Sequence, residues 1–168
     1  MSAVSPSGVS ADDVAAVTAQ LGRPPRGVRA VAHRCPCGLP SVVQTAPRLP
    51  DGTPFPTLYY LTCARLCSRI GGLESSGLMR EMTERLEADP GLAARYRTAH
   101  EDYLARRETH GRVEQIDGVS AGGMPERVKC LHALAGHSLA VGPGVNPFGD
   151  EALERLPAWG ARGSCVDG

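Results

Sequence analysis

The sequence predicts an α+β fold: a small, mostly antiparallel sheet of about three strands, packed by several helices. Three observations carry this expectation. Between positions 28 and 62 lie three short β-branched or aromatic runs separated by turn-forming residues. From Cys63 to Glu108 the apolar residues recur at helical spacing. A further helical run then follows the glycine pair Gly122-Gly123 and closes in a glycine- and proline-rich turn. At 168 residues the chain fits one domain with a real core. The expected division is a flexible N-terminus over 1–9, a single α+β domain over 10–156 and a C-terminal tail over 157–168.

Ser10, followed by Asp12 and Asp13, marks a helix start, with a hydroxyl cap and acidic residues in the first turn. Val14, Val17 and Leu21 share its face, and Gly22 with Pro24 stops it; this reads as a docking helix without chemistry. Val28–Ala32 and Ser41–Ala46 are strands, joined by the turn H-R-C-P-C-G-L-P. A proline-stiffened loop with Asp51-Gly52 as its turn signal leads to the strand Thr57–Thr62. Leu66, Ile70 and Leu73 predict a helix that Gly71-Gly72 weakens. Leu78, Met82 and Leu86 predict the next, closed by Asp89-Pro90. Leu92, Tyr96, Ala99 and Tyr103 carry a third to about Glu108. Arg80, Glu81, Glu84, Arg85 and Glu87 read as a solvated face. After a polar connector over 109–119, a central helix is expected from Pro125 to about Val141, because proline fits a first helical turn. A last short helix is expected over Asp150–Leu156, with Asp150 as its cap.

Composition narrows the function. With 18 basic and 18 acidic residues the formal net charge is zero, so the basic excess typical of nucleic-acid binding is missing. Four tyrosines, two phenylalanines and one tryptophan make no stacking platform for single strands. The first residues lack the basic and apolar regions of a signal peptide, and no apolar run approaches the roughly 18 residues of a membrane span. The expectation is a cytoplasmic protein without membrane insertion. Its six cysteines are then free thiols or metal ligands rather than disulfides.

Cysteine is the first chemistry-bearing constellation. Cys35 and Cys37 flank Pro36 in a turn, and Cys63 and Cys67 lie one helical turn apart. Four thiolates would suit tetrahedral zinc or an iron–sulfur cluster. The second is the central helix. Cys130 and His137 stand about 10 Å apart along a helix axis, and His132 would lie roughly 200° round from Cys130. A regular helix therefore does not join these three on one ion, and Cys130 is expected to contribute to the other cysteines. Each histidine is read by default as a hydrogen-bonded structural residue. A thiol–imidazole pair of Cys130 with a histidine from elsewhere, such as His33, is a further option. The third constellation is the helix entry: Gly122 and Gly123 free their backbone N–H groups, and Arg127 and Lys129 add positive charge. Such an entry can seat a phosphate or carboxylate, although the Walker spacing is absent. In the turn after the helix, Asn146-Pro147 is a turn starter.

Four segments together resemble a bacterial family, domain of unknown function 501. They are R-C-P-C-G-L-P at 34–40, P-F-P-T-L-Y-Y-L-T-C at 54–63, G-G-M-P-E-R-V-K-C-L-H at 122–132 and G-P-G-V-N-P-F-G-D at 142–150. The resemblance covers roughly residues 25–156, and the composition looks like an actinobacterial member. The family pattern has proline where this chain has Ala64, and usually an aliphatic residue where it has Cys67. The resemblance therefore shifts the ligand set from Cys67 to Cys35, Cys63 and Cys130, with Cys37 as fourth partner. It also implies gene neighbours concerned with septum initiation and polyphosphate breakdown. The leading expectation is thus a structural or regulatory protein binding zinc or an iron–sulfur cluster through Cys35, Cys37, Cys63 and Cys130. One alternative is an enzyme acting on a phosphorylated or carboxylated small molecule held by Gly122, Gly123, Arg127 and Lys129 at the N-terminus of the 125–141 helix. Another is a protein-partner module linked to cell division.

Overall fold

The structure is a computed structural model that describes residues 9–157 together with Trp159 and Cys165. The stretch 1–8, assigned above to a flexible N-terminus, lies outside the described residues, as does most of the tail. Val9 is buried. Helix α1 spans Ala11–Leu21; the Ser10 hydroxyl accepts the Asp13 N–H at 3.1 Å, and Gly22 ends the helix in the left-handed conformation. Strands β1 (Val28–Arg34), β2 (Pro40–Thr45) and β3 (Tyr59–Leu61) form one antiparallel sheet in the order β1-β2-β3. The register pairs Val31 with Val43, and Val42 with Leu61. Strand β2 is central and buried along almost its whole length.

Helices α2 (Ala64–Ser75), α3 (Leu78–Ala88) and α4 (Pro90–Glu108) follow in succession. Helix α2 runs through Gly71-Gly72 to Ser75. The Asp89 carboxylate caps α4 by accepting the Leu92 N–H, with Pro90 in the first turn. Leu66 and Ile70 from α2, Met82 from α3, and Tyr96, Ala99 and Tyr103 from α4 are fully buried. The Tyr103 hydroxyl accepts the backbone N–H of Leu58 at 2.6 Å and so fixes the entry to β3. Arg107, near the end of α4, is buried. Its guanidinium donates to the carbonyls of Pro56, Ile116 and Val119, binding two loops to α4. The connector also holds a short 3-10 helix, Glu114–Ile116.

Helix α5 spans Leu131–Val141, so it starts six residues later than proline placement suggests. The intervening residues are held by the glycine pair. The Gly123 carbonyl accepts the N–H groups of Glu126 and Arg127, and the Gly122 carbonyl accepts those of Lys129 and Cys130. These bonds fold 122–130 into turns rather than helix. Helix α5 lies across the sheet, where a Cβ on Gly136 would stand 3.1 Å from the Tyr59 carbonyl oxygen. Helix α6 spans Pro147–Glu154. Asn146, not Asp150, is its cap, accepting the Gly149 N–H at 3.0 Å. An asparagine followed by a first-turn proline outcompetes an aspartate four residues on. Asp150 instead accepts the Gly144 N–H at 2.8 Å and ties down the preceding turn.

Candidate functional site

The β1–β2 turn presents two sulfurs. The Cys35 N–H donates to the Leu39 carbonyl, the Gly38 N–H returns to the Cys35 carbonyl, and Gly38 takes a φ of 91°. This tight loop brings the Cys37 N–H to 3.5 Å from the Cys35 Sγ. Cys63 follows β3 and precedes α2, extended and wholly buried, with no side-chain cap bond. The third approach is made by Cys165, whose Sγ lies 3.5 Å from that of Cys35. The sulfurs of Cys35, Cys63 and Cys165 all lie within 4.8 Å of one another, and all three residues are buried. Cys37 stands at the edge of this trio, its N–H directed at the Cys35 sulfur.

Burial pushes the Cys35 and Cys165 thiols up. Burial also raises Cys37, but the backbone N–H groups of Leu39 and Cys165 and the neighbouring thiols outweigh it and bring this thiol down to about 7. The cluster thus concentrates sulfur donors where one proton is already loosely held. A zinc–sulfur bond of about 2.3 Å makes the edge of a tetrahedron about 3.8 Å. The Cys35–Cys165 sulfur separation of 3.5 Å lies close to that edge, and the Cys37 N–H supplies the kind of outer hydrogen bond that steadies a metal-bound thiolate.

Cys35, Cys37 and Cys63 therefore come together, whereas Cys130 is placed in a second group with Glu74 and His132. Cys130 is extended, with φ −148°, and only Leu131 begins the helix. The rotation of a regular helix does not apply between Cys130 and His132, so the two side chains meet. The His132 Nδ1 lies 3.0 Å from a Glu74 oxygen, and its Nε2 lies 3.0 Å from the Cys67 carbonyl. The other Glu74 oxygen accepts the Leu131 N–H at 2.8 Å. The Cys67 thiol points to the Leu61 carbonyl, and burial pushes it up to about 11.

The expected anion residues have a different setting from the one their spacing suggests. The start of α5 already receives a carboxylate, that of Glu74. Gly122 and Gly123 are packed: an added Cβ would stand 2.7 Å from the Leu134 Cδ2 and 2.7 Å from the Arg127 carbonyl oxygen respectively. Arg127 and Lys129 are exposed and line an open groove with Arg80.

Three further histidines have polar side-chain partners. The Ser41 hydroxyl donates to the His33 carbonyl and lies 2.6 Å from the His33 Nδ1. His100 bonds Ser120 at 2.7 Å. His137 is completely buried between Tyr59 and Tyr103. Its Nε2 lies 2.8 Å from Asp102 and its Nδ1 lies 3.2 Å from the Asn146 amide nitrogen. Because Asn146 uses its oxygen to cap α6, its nitrogen must face His137, so Nδ1 accepts and Nε2–H donates to Asp102. Cys165 and Glu74 are the site residues that sequence reasoning missed. An unassigned sixth cysteine beside the only tryptophan was the available signal for the first; nothing marked the second.

A family model described as "Protein of unknown function (DUF501)" matches residues 31–154. No curated protein and no solved structure matches the chain.

Proposed function

The chain belongs to the DUF501 family, and on that premise we propose that it holds one tetrahedral metal ion, zinc, through Cys35, Cys37, Cys63 and Cys165. The supporting observation is the buried trio of sulfurs within 4.8 Å of one another. Three buried thiols at that distance, with a fourth beside them, suit a closed four-sulfur shell. An iron–sulfur cluster places a core of iron and sulfide between its cysteines, which holds them farther apart than a single ion does. A closed shell leaves no open position for substrate, so the role is structural or regulatory. The ion joins the β1–β2 turn, the start of α2 and the C-terminal segment, and its binding energy becomes folding energy. Reduced thiolates of this kind suit the cytoplasm. Protein purified without oxygen should contain about one equivalent of zinc and no labile sulfide. Cys35→Ser and Cys63→Ser should each lose the metal and lower the melting temperature. Parent protein that purifies without metal, and that melts at the same temperature as Cys35→Ser and Cys63→Ser, would contradict the reading.

A second reading concerns Arg80, Arg127 and Lys129, which share a groove of about 390 Å³. Three cations there favour a small phosphorylated or carboxylated ligand. Inorganic phosphate should raise the melting temperature of the parent and not of Lys129→Ala. No effect on the parent would end this reading.

A further inference from the structure

Cys130, His132 and Glu74 lie apart from the sulfur cluster, with one ligand-type atom of each within 4.8 Å of the others. Cys130 and His132 also line a cavity of about 370 Å³ walled by Phe55, Tyr59, Tyr60 and Leu61. We propose that Cys130 is a nucleophilic cysteine, set beside the His132 imidazolium, that undergoes thiol–disulfide exchange with a low-molecular-weight disulfide seated in this cavity. The site is independent of the proposed metal centre.

The hydrogen bonds of His132 set its charge. A backbone carbonyl only accepts, so Nε2 facing Cys67 carries a proton. Glu74 accepts from the Leu131 N–H with one oxygen and faces Nδ1 with the other, so Nδ1 carries a proton as well. The ring is therefore a cation. In agreement, the neighbouring Cys130 sulfur, opposed by burial and aided by Glu74 and the Cys67 carbonyl, lifts it to about 9. A fixed imidazolium beside the Cys130 sulfur is a positive charge held where a disulfide would be attacked. A doubly protonated ring also does not ligate a metal, which separates this group from the sulfur site.

The same geometry selects the reaction. Both ring protons are held by acceptors, so His132 supplies charge and does not shuttle protons. Acyl transfer to an amine or alcohol leaving group needs such a shuttle. Disulfide exchange does not. The Cys130 thiolate attacks one sulfur of R–S–S–R′, a Cys130–S–S–R bond forms, the original S–S bond breaks, and its electron pair leaves on R′–S⁻. The incoming disulfide is the oxidant, and no proton is required. The aromatic walls and the cavity size suit an apolar organic half.

The test is modification by 2,2′-dithiodipyridine of the full chain, followed by release of the thione and mapped by peptide mass spectrometry. Cys130 should react first, about tenfold faster than a free cysteine derivative at the same pH. Cys130→Ser should remove this phase. His132→Gln should slow it about tenfold while keeping the parent's circular dichroism and zinc content. Reaction of Cys130 at or below the rate of the free derivative, or an unchanged rate in a folded His132→Gln variant, would overturn the proposal. Fast labelling at Cys37 would report instead an empty sulfur site, which counts against the metal reading and leaves the Cys130 rate separately measured.

Discussion

The sulfurs of Cys35 and Cys165 lie 3.5 Å apart although 130 positions separate them in the chain. That contact fastens the C-terminal segment to the β1–β2 turn. Cys165 lies beyond the span matched by the family model, whereas Cys35, Cys37 and Cys63 lie within it. Cys165→Ser should therefore leave a three-sulfur site that still binds zinc, with affinity reduced about 10- to 100-fold. Cys35→Ser should abolish binding. Competition with a chromophoric chelator measures both.

His132 gives the fold an alkaline limit. The neighbouring Cys130 sulfur, against burial, together with Glu74 and the Cys67 carbonyl, raises it from 6.5 to about 9. The folded state thus holds this proton more tightly than the unfolded chain does. The stabilisation is complete below about 6.5 and is lost as pH rises through about 9. Thermal melts should show the largest gap between the parent and His132→Gln at mildly acid pH, closing in alkali.

Asn146 joins two structural tasks. Its oxygen caps α6 and its nitrogen donates to the buried His137. Asn146→Ala should cost about 2 kcal/mol or more, because a helix cap and a buried acceptor both lose their partner. Asn146→Ser, which caps but does not reach the imidazole, should recover part of this. Urea denaturation gives both values.

Gly149 and Gly136 mark how closely α5 is approached. A Cβ on Gly149 would stand 2.1 Å from the Leu134 carbonyl oxygen and 2.3 Å from the Ser138 Oγ. Gly149→Ala should therefore separate α6 from α5 and lower stability by roughly 3 kcal/mol. Gly136→Ala, with its nearest contact at 3.1 Å from the Tyr59 carbonyl oxygen, should cost about 1 kcal/mol. Thermal melts should rank them in that order.

The helices around Val17, Ile70, Met82 and Tyr96 and the three strands were legible because periodicity and capping residues agree there. The nearness of Cys35, Cys37 and Cys63 was legible too, since a short turn and a strand end leave them little choice. The start of α5 was not. Pro125 is permissive for a helix, but the carbonyls of Gly122 and Gly123 capture the next N–H groups. That late start is what lets Cys130 meet His132, and helix geometry applied from Pro125 separates them. The Asn146 cap was readable from asparagine before proline, yet Asp150 drew the assignment. Arg107 and Glu74 resemble any charged helix residue in sequence; only the packing of loops and of α5 gives them buried partners.

The most direct test of the proposed four-sulfur metal site is X-ray absorption at the zinc edge of protein purified without oxygen. Four sulfur neighbours at about 2.3 Å, falling to three in Cys165→Ser, are predicted. A first shell containing nitrogen from histidine, or one unchanged in Cys35→Ser, would contradict the assignment of Cys35, Cys37, Cys63 and Cys165 as the ligands.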